Sequence, residues 1–184
     1  MDIIEAIDLK ILNLIKMFLH RPIFDEFFYF LTWIGNKGAV WILISIVLLY
    51  KRENRKTGIT VLIALLLGLI LGDIILKPVI GRVRPFIKYD YITTTVENLG
   101  IYSFPSGHTT SSFAASISIL IKKRKIGFGF VFLALGIAFS RLYLMVHYPS
   151  DIIGGIVLGL ICAFAADKIV NITNEKIRFK NKLL

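Results

Sequence analysis

Three short polar stretches interrupt a chain made mostly of Ile, Leu, Val and Phe, and each carries residues able to hold an anion or move a proton. In "SRLYLMVHYPSD" (140–151), His147 precedes Asp151 by four residues, and Ser140 and Arg141 close the apolar run before them. Pro149 disfavours a continuous helix through the pair, so the two side chains are expected to meet across a turn. A carboxylate that accepts the Nδ1 proton of an imidazole fixes the tautomer, leaves Nε2 with its lone pair and stabilises the cation formed on attack. The same pair also suits a purely structural hydrogen bond at a helix junction. In "FPSGHTTSS" (104–112), Pro105 fits at or just before a helix start, Ser106 can cap it, and Gly107 lets a ligand approach the backbone. The free N–H groups and positive end of that helix make an anion site into which His108 would project. A plain cap beside an interfacial histidine reads the same way. In "KPVIGRVRP" (77–85), Lys77, Arg82 and Arg84 follow directly on an apolar run, and basic residues there either snorkel to headgroups or hold a bound anion.

The elements that must position these stretches are membrane helices. Of the 184 residues, 56% are hydrophobic and 18% charged, with a mean hydropathy of +0.75, a balance rare in a soluble domain of this length. Long apolar runs stand at 58–76, 126–140 and 152–170, and about 20 residues cross a hydrocarbon core of about 30 Å. The amino terminus "MDIIEAIDLKILNLIKMFLHRP" breaks every apolar run with a charge, so no cleavable signal peptide is expected. Ile4, Ile7, Ile11, Leu14, Ile15 and Phe18 recur at helical spacing while Asp8, Lys10 and Lys16 fall elsewhere, the pattern of an amphipathic interfacial helix or of a short buried one. Cys162 is the single cysteine, so no internal disulfide forms.

The net charge of +10 is clustered in "YKRENRK" (50–56), "KKRK" (122–125) and the tail 174–184, all abutting apolar runs. That is the positive-inside pattern of cytoplasmic loops rather than a nucleic-acid footprint. Placing those segments inside puts residues 77–107 and 141–151, and with them all three polar stretches, outside. Cations are scarce on that side, which favours a bound anion over snorkelling. The pieces flanking "GNKG" (35–38) each cover only about 18 to 20 Å. Joined, they make one span kinked near Gly35 and Gly38, for five transmembrane helices with the amino terminus outside; a hairpin at "GNKG" would make six. The fold expected is an all-α polytopic helical bundle, one domain over 1–184.

Lys77, Arg84 and Arg141, with the backbone nest at Gly107, match a doubly charged phosphate oxyanion, and phosphoryl transfer depends chiefly on positioning and charge stabilisation. The outer segments hold no carboxylate cluster and no His-Glu-x-x-His pattern, so no metal or other cofactor is expected and fixed cations take the metal's place.

The same residues resemble the three-part signature of the type 2 phosphatidic acid phosphatase superfamily. Lys, six residues, Arg-Pro stands as Lys77 to Arg84-Pro85; Pro-Ser-Gly-His as Pro105 to His108; and Ser-Arg, five residues, His, three residues, Asp as Ser140-Arg141, His147 and Asp151. No position departs, and the resemblance runs from about 58 to 170. It implies a metal-independent phosphatase in which His147 attacks phosphorus to form a phosphohistidine and Asp151 orients it. His108 would protonate the leaving oxygen, while Lys77, Arg84, Ser106, Gly107 and Arg141 hold the phosphoryl oxygens. The family's soluble vanadium-binding haloperoxidases fit poorly with the spanning helices. Small bacterial members of this layout resemble undecaprenyl diphosphate phosphatases, with phosphatidylglycerophosphate and phosphatidate phosphatases as the alternative and a non-catalytic lipid-phosphate binder or flippase as the distant one. The implied setting is the cytoplasmic membrane, with the site outside, the carboxyl terminus inside, a lipid phosphate as substrate and no obligate protein partner.

Overall fold

Proline and glycine set the helix boundaries. The structure, a computed structural model, describes residues 3–97 and 99–183, with side chains through residue 176. Among these the helices are α1 (Ile3–Leu19), α2 (Pro22–Ile34), α3 (Ala39–Tyr50), α4 (Arg55–Gly68), α5 (Lys77–Ile80), α6 (Pro85–Lys88), α7 (Gly107–Lys122), α8 (Arg124–Tyr143) and α9 (Pro149–Leu183). Pro22, Pro85 and Pro149 open α2, α6 and α9, where a missing N–H costs nothing. Gly81 closes α5 with φ of 62°, a left-handed conformation that glycine adopts without strain. Ser106 caps α7, its side-chain oxygen accepting the Thr109 N–H at 3.4 Å.

Between α4 and α5 the chain continues as a π-helix over Leu69–Leu76, so that Arg52–Ile80 forms one helix of 29 residues. With Arg124–Tyr143 and Pro149–Lys176 it makes, among the described residues, three helices long and apolar enough to cross a membrane, and α2 with α3 pass that test as a bent pair. The protein is therefore an all-helical, multi-pass membrane protein. The bend at 35–38 is 45°, far short of the reversal a hairpin at "GNKG" requires. Lys37 and Gly38 carry it with φ of 51° and 68°.

The remaining expected span is α7, which at 16 residues reaches about 24 Å, short of a full hydrocarbon core. It packs against α4, α8 and α9 and is rich in buried Ser, Thr and Ala. Its hydroxyls are satisfied internally, as a low-dielectric surrounding demands: Thr110 donates to the Ser106 carbonyl at 3.0 Å and Ser118 to that of Ala114 at 2.7 Å. Trp41 Nε1 donates to Ser112 Oγ at 3.0 Å, tying α3 to the same helix. Small residues let α7 and α9 close on each other, the means by which membrane helices gain dispersion energy without a hydrophobic driving force. A methyl group on Gly159 would lie 2.8 to 2.9 Å from Phe113 Cβ, the Ala114 nitrogen and the Thr110 carbonyl oxygen.

Helices α7 and α9 run parallel. At one end the Ser106 N–H donates to the Asp151 carbonyl at 3.2 Å, and at the other Lys122 pairs with Asp167 at 2.5 Å. The three polar stretches gather at the first end, and the basic loop 122–125 lies at the second. Of the basic tail 174–184, the side chains from 177 onward lie outside the described residues. Helix α1 lies across the first end, with Leu9, Leu12 and Ile15 buried against Ile92, Met145 and Tyr148. Ile4, Ile7, Ile11, Leu14 and Phe18 remain exposed on its other side, as in a helix resting at a lipid interface. The interfacial and buried readings of this helix each describe one of its faces. Asp8, off the apolar stripe in the sequence, is buried against the bundle with 2% exposure.

This packing predicts that Gly159→Ala lowers the melting temperature in detergent, at a cost of about 1–3 kcal/mol for overpacking against backbone. Gly129→Ala, whose methyl group meets nothing within 4 Å, leaves the melting temperature unchanged or raises it.

Candidate active site

The turn between α8 and α9 presents the imidazole. Val146 N–H donates to the Arg141 carbonyl at 3.1 Å and Met145 takes φ of 57°, which throws the chain back so that His147 precedes α9 by two residues. Asp151, in the first turn of α9, accepts the Tyr148 N–H at 2.9 Å and lies 3.3 Å from His147 Nδ1 through the same oxygen, Oδ2. The pair thus meets across a turn, as the proline requires. On the far side of the ring, Arg84 Nη1 donates to His147 Nε2 at 3.0 Å. The two contacts select one tautomer, with the proton on Nδ1 and the lone pair on Nε2.

His147 borders a cavity of about 640 Å³. Lys77, Arg84, Gly107, His108 and Arg141 line it together with His147, while Ile42, Leu62, Leu65, Leu66 and Leu69 supply an apolar wall from α3, α4 and the π-helical segment. The spacing from Lys77 to Arg84 has a structural cause. The chain turns at Gly81, runs extended past 82–84 and pairs with 101–103, with Arg84 N–H donating to the Ile101 carbonyl at 3.2 Å and Ser103 N–H to that of Arg82 at 2.7 Å. Pro85 holds Arg84 in the extended region, at φ −67° and ψ 154°. Its guanidinium is then anchored by Gly100 and Val146 carbonyls at 2.6 and 2.9 Å.

Arg141, 1% exposed, donates to Thr32 Oγ1, and among the described residues its Nε has no hydrogen-bond partner. An unpaired guanidinium donor in a buried side chain that lines the cavity is the kind of defect an oxyanion repairs. Ser106 and Asp151 stand behind the cavity wall, both fully buried. The Ser106 oxygen accepts from Thr109 N–H and from Thr109 Oγ1 at 2.9 Å, so in this structure it serves as the cap while Gly107 faces the cavity.

Several neighbours of the site escaped the sequence reading. His108 Nε2 donates to Asn36 Oδ1 at 3.0 Å, so the kink at "GNKG" belongs to the site. Gly35 permits that approach, since a methyl group there would meet His108 Cδ2 at 3.1 Å. Lys77 pairs with Asp73, one turn earlier in the π-helical segment, a winding often found at functional sites. Asp73 is an acid inside an apolar run, and Asn36 a polar residue at a break within a span. Both are signals that polar groups inside a membrane helix carry a role.

Burial pushes His147 well below the usual imidazole range, and the charges of Arg84, Arg141 and Lys77 push in the same direction. The ring is neutral in the folded protein at neutral pH, as a nitrogen nucleophile must be.

The family model described as PAP2 superfamily matches residues 57–174. The undecaprenyl-diphosphatase BcrC of Bacillus subtilis (strain 168) is 32% identical over 149 residues, 79% of this chain and 74% of that one. The lipid A 4'-phosphatase of Bacteroides thetaiotaomicron is 29% identical over 155 residues, 77% of this chain and 67% of that one. Among solved structures, Aquifex aeolicus LpxE superposes with a TM-score of 0.79 at 27% identity, covering 91% of this chain and 99% of that one.

The depressed imidazole predicts a pH dependence of stability. Below about pH 6.5, the ordinary imidazole value, the unfolded chain binds a proton that folded His147 does not, so stability falls as pH drops. The melting temperature in detergent therefore decreases from pH 7.5 to pH 5.5, and His147→Gln makes that slope shallower. An unchanged slope would mean that the ring titrates normally.

Proposed function

The chain belongs to the PAP2 superfamily and is a membrane lipid phosphatase, and we propose that it converts undecaprenyl diphosphate to undecaprenyl phosphate through a phosphohistidine on His147. The observation that carries this reading is the imidazole held between Asp151 and Arg84 with its Nε2 lone pair on a cationic cavity. In the first step Nε2 attacks the terminal phosphorus while the bond to the bridging oxygen breaks, and Arg84 passes its N–H from Nε2 to a phosphoryl oxygen. Lys77, Arg141 and the Gly107 backbone hold the remaining charge, which the transition state spreads over the equatorial phosphoryl oxygens. His108 gives its proton to the departing lipid phosphate. Water then attacks the phosphohistidine, His108 takes a proton from that water, and inorganic phosphate leaves with His147 restored. Asp151 stabilises the positive ring throughout.

The apolar wall of Leu62, Leu65, Leu66 and Leu69 suits an isoprenoid or acyl chain entering from the bilayer. The positive-inside pattern supports a site on the outer face of the cytoplasmic membrane, with the carboxyl terminus inside, because the basic loop 122–125 lies at the bundle end opposite His147. Carrier lipid diphosphate is produced on that face. A phosphatidylglycerophosphate or phosphatidate phosphatase would use the same residues, so the headgroup is decided by rate comparison.

Phosphate release in detergent across undecaprenyl diphosphate, phosphatidylglycerophosphate and phosphatidate should give the highest kcat/KM for the diphosphate, undiminished by excess chelator. His147→Ala should lower kcat by about 10³-fold or more on every substrate. Retained activity would remove His147 from the nucleophile's role, whereas no phosphate release from any of the three lipids would favour a binder or flippase, for which His147→Gln leaves lipid binding intact. A lipid phosphate leaves more readily than a diacylglycerol alkoxide, so His108→Ala should cost less in kcat on the diphosphate than on phosphatidate. Equal losses would remove His108 from the acid's role.

A further inference from the structure

Arg82 has no part in holding phosphate as described above, yet it is among the best-connected side chains at this end of the bundle. Its Nη1 donates to Asp151 Oδ1 at 2.8 Å and to Ser150 Oγ at 2.6 Å, and its Nη2 donates to Asp8 Oδ2 at 2.6 Å. The guanidinium also lies over the Tyr148 ring, 3.9 Å from its centroid. Asp8 is fastened in turn to the start of α9, accepting the Ser150 N–H at 2.9 Å through Oδ1 and the Ser150 hydroxyl at 2.5 Å through Oδ2.

The division of labour at Asp151 is the informative point. Oδ2 faces His147 Nδ1 and the Tyr148 N–H, while Oδ1 faces Arg82, so the orientation of the carboxylate plane relative to the imidazole depends on where Arg82 stands. Arg82 is shared between two carboxylates that are 2% and 0% exposed. Were Asp8 neutral, the whole attraction of the guanidinium would fall on Asp151. Its contact with Arg82 is already the shorter, 2.8 Å against 3.3 Å for that with His147. The carboxylate would be drawn toward Arg82 and away from Nδ1. In a buried site a misplacement of this kind is expensive for the reaction even where binding is unaffected.

We infer that Asp8 is a positioning residue for hydrolysis: through Arg82 it holds the Asp151 carboxylate in the orientation that supports His147. The amino-terminal helix α1 thereby contributes to a site whose proposed catalytic and phosphate-binding residues come from 77–151. The inference rests on the proposed role of His147. It concerns neither phosphate binding nor substrate choice, because Asp8 does not line the cavity.

The test uses the full chain in detergent with undecaprenyl diphosphate, or with phosphatidate should that prove the faster substrate. Asp8→Asn is expected to lower kcat per folded molecule by about tenfold or more with KM within about twofold. Asp8→Glu restores part of the loss. Arg82→Lys, which keeps the charge but cannot bridge two carboxylates with one planar fork, gives the same kcat-selective loss and serves if Asp8→Asn does not fold. In an Asp151→Asn background, Asp8→Asn should cost nothing further, since one acts through the other. A purely structural role would instead lower the melting temperature and the folded yield, with wild-type kcat per folded molecule, and would overturn the inference. So would additive losses in the double variant. Full activity of His147→Ala would sink the reading underneath. An inactive His147→Ala beside a wild-type kcat for Asp8→Asn would sink this inference alone.

Discussion

The carboxylate of Asp151 is the point on which the site end of the bundle depends. One oxygen takes the imidazole and the Tyr148 N–H, the other takes Arg82, and the residue's own carbonyl receives the Ser106 N–H at the start of α7. Segments carrying all three polar stretches are joined at one residue. A buried carboxylate without these partners would be strongly destabilising, so the structure around it is committed to supplying them. That commitment accounts for the turn at 144–148, which places a backbone N–H and an imidazole on the same oxygen. It also accounts for the extended run past Arg82, which aims a guanidinium at the opposite one.

The second constraint is the concentration of positive charge beside a neutral ring. Lys77, Arg84 and Arg141 share one cavity, and Asp73 offsets part of their charge through its pair with Lys77. Arg84 finds carbonyl acceptors, and Arg141 keeps a donor unmatched. Under the proposed function, a polyanion in this cavity would supply the acceptor that the unmatched donor lacks. Burial first, and then these same charges, favour the neutral form of the His147 ring. The packing of α7 against α9, with methyl-sized clearance denied at Gly159, makes the platform on which these groups stand a rigid one.

Much of this was legible in the residues alone. The spacing of His147, Pro149 and Asp151 foretold a pair meeting across a turn, and Pro105, Ser106 and Gly107 foretold a capped helix start, which in the structure faces a cavity through Gly107. The apolar runs foretold helices crossing a bilayer, and the kink at "GNKG" is a 45° bend. What the sequence left open was which polar residues act in company. Asn36 looked like part of a kink and proved to accept from His108, and Thr32 receives Arg141 from a residue 109 positions away. Asp8 looked like the polar side of an amphipathic helix and proved to be buried on Arg82. Ser106, read as a cap with a phosphate role implied by the family resemblance, is engaged as that cap behind the cavity wall.

Sequence by itself determined what local chemistry dictates: which stretches are apolar enough to enter a bilayer, where proline and glycine bound a helix, and which short motifs carry an imidazole, a carboxylate and fixed cations. Those properties follow from side-chain hydrophobicity and from backbone restrictions within a few residues. Tertiary structure decided which of the charged groups face one another. The pairings of Arg82 with Asp8, Arg141 with Thr32 and His108 with Asn36 span 74, 109 and 72 residues. Nothing in local propensity couples positions that far apart. Only the packing of α1, α2 and the kink onto the bundle brings those atoms within hydrogen-bond distance, because buried polar groups must find partners wherever the fold places them.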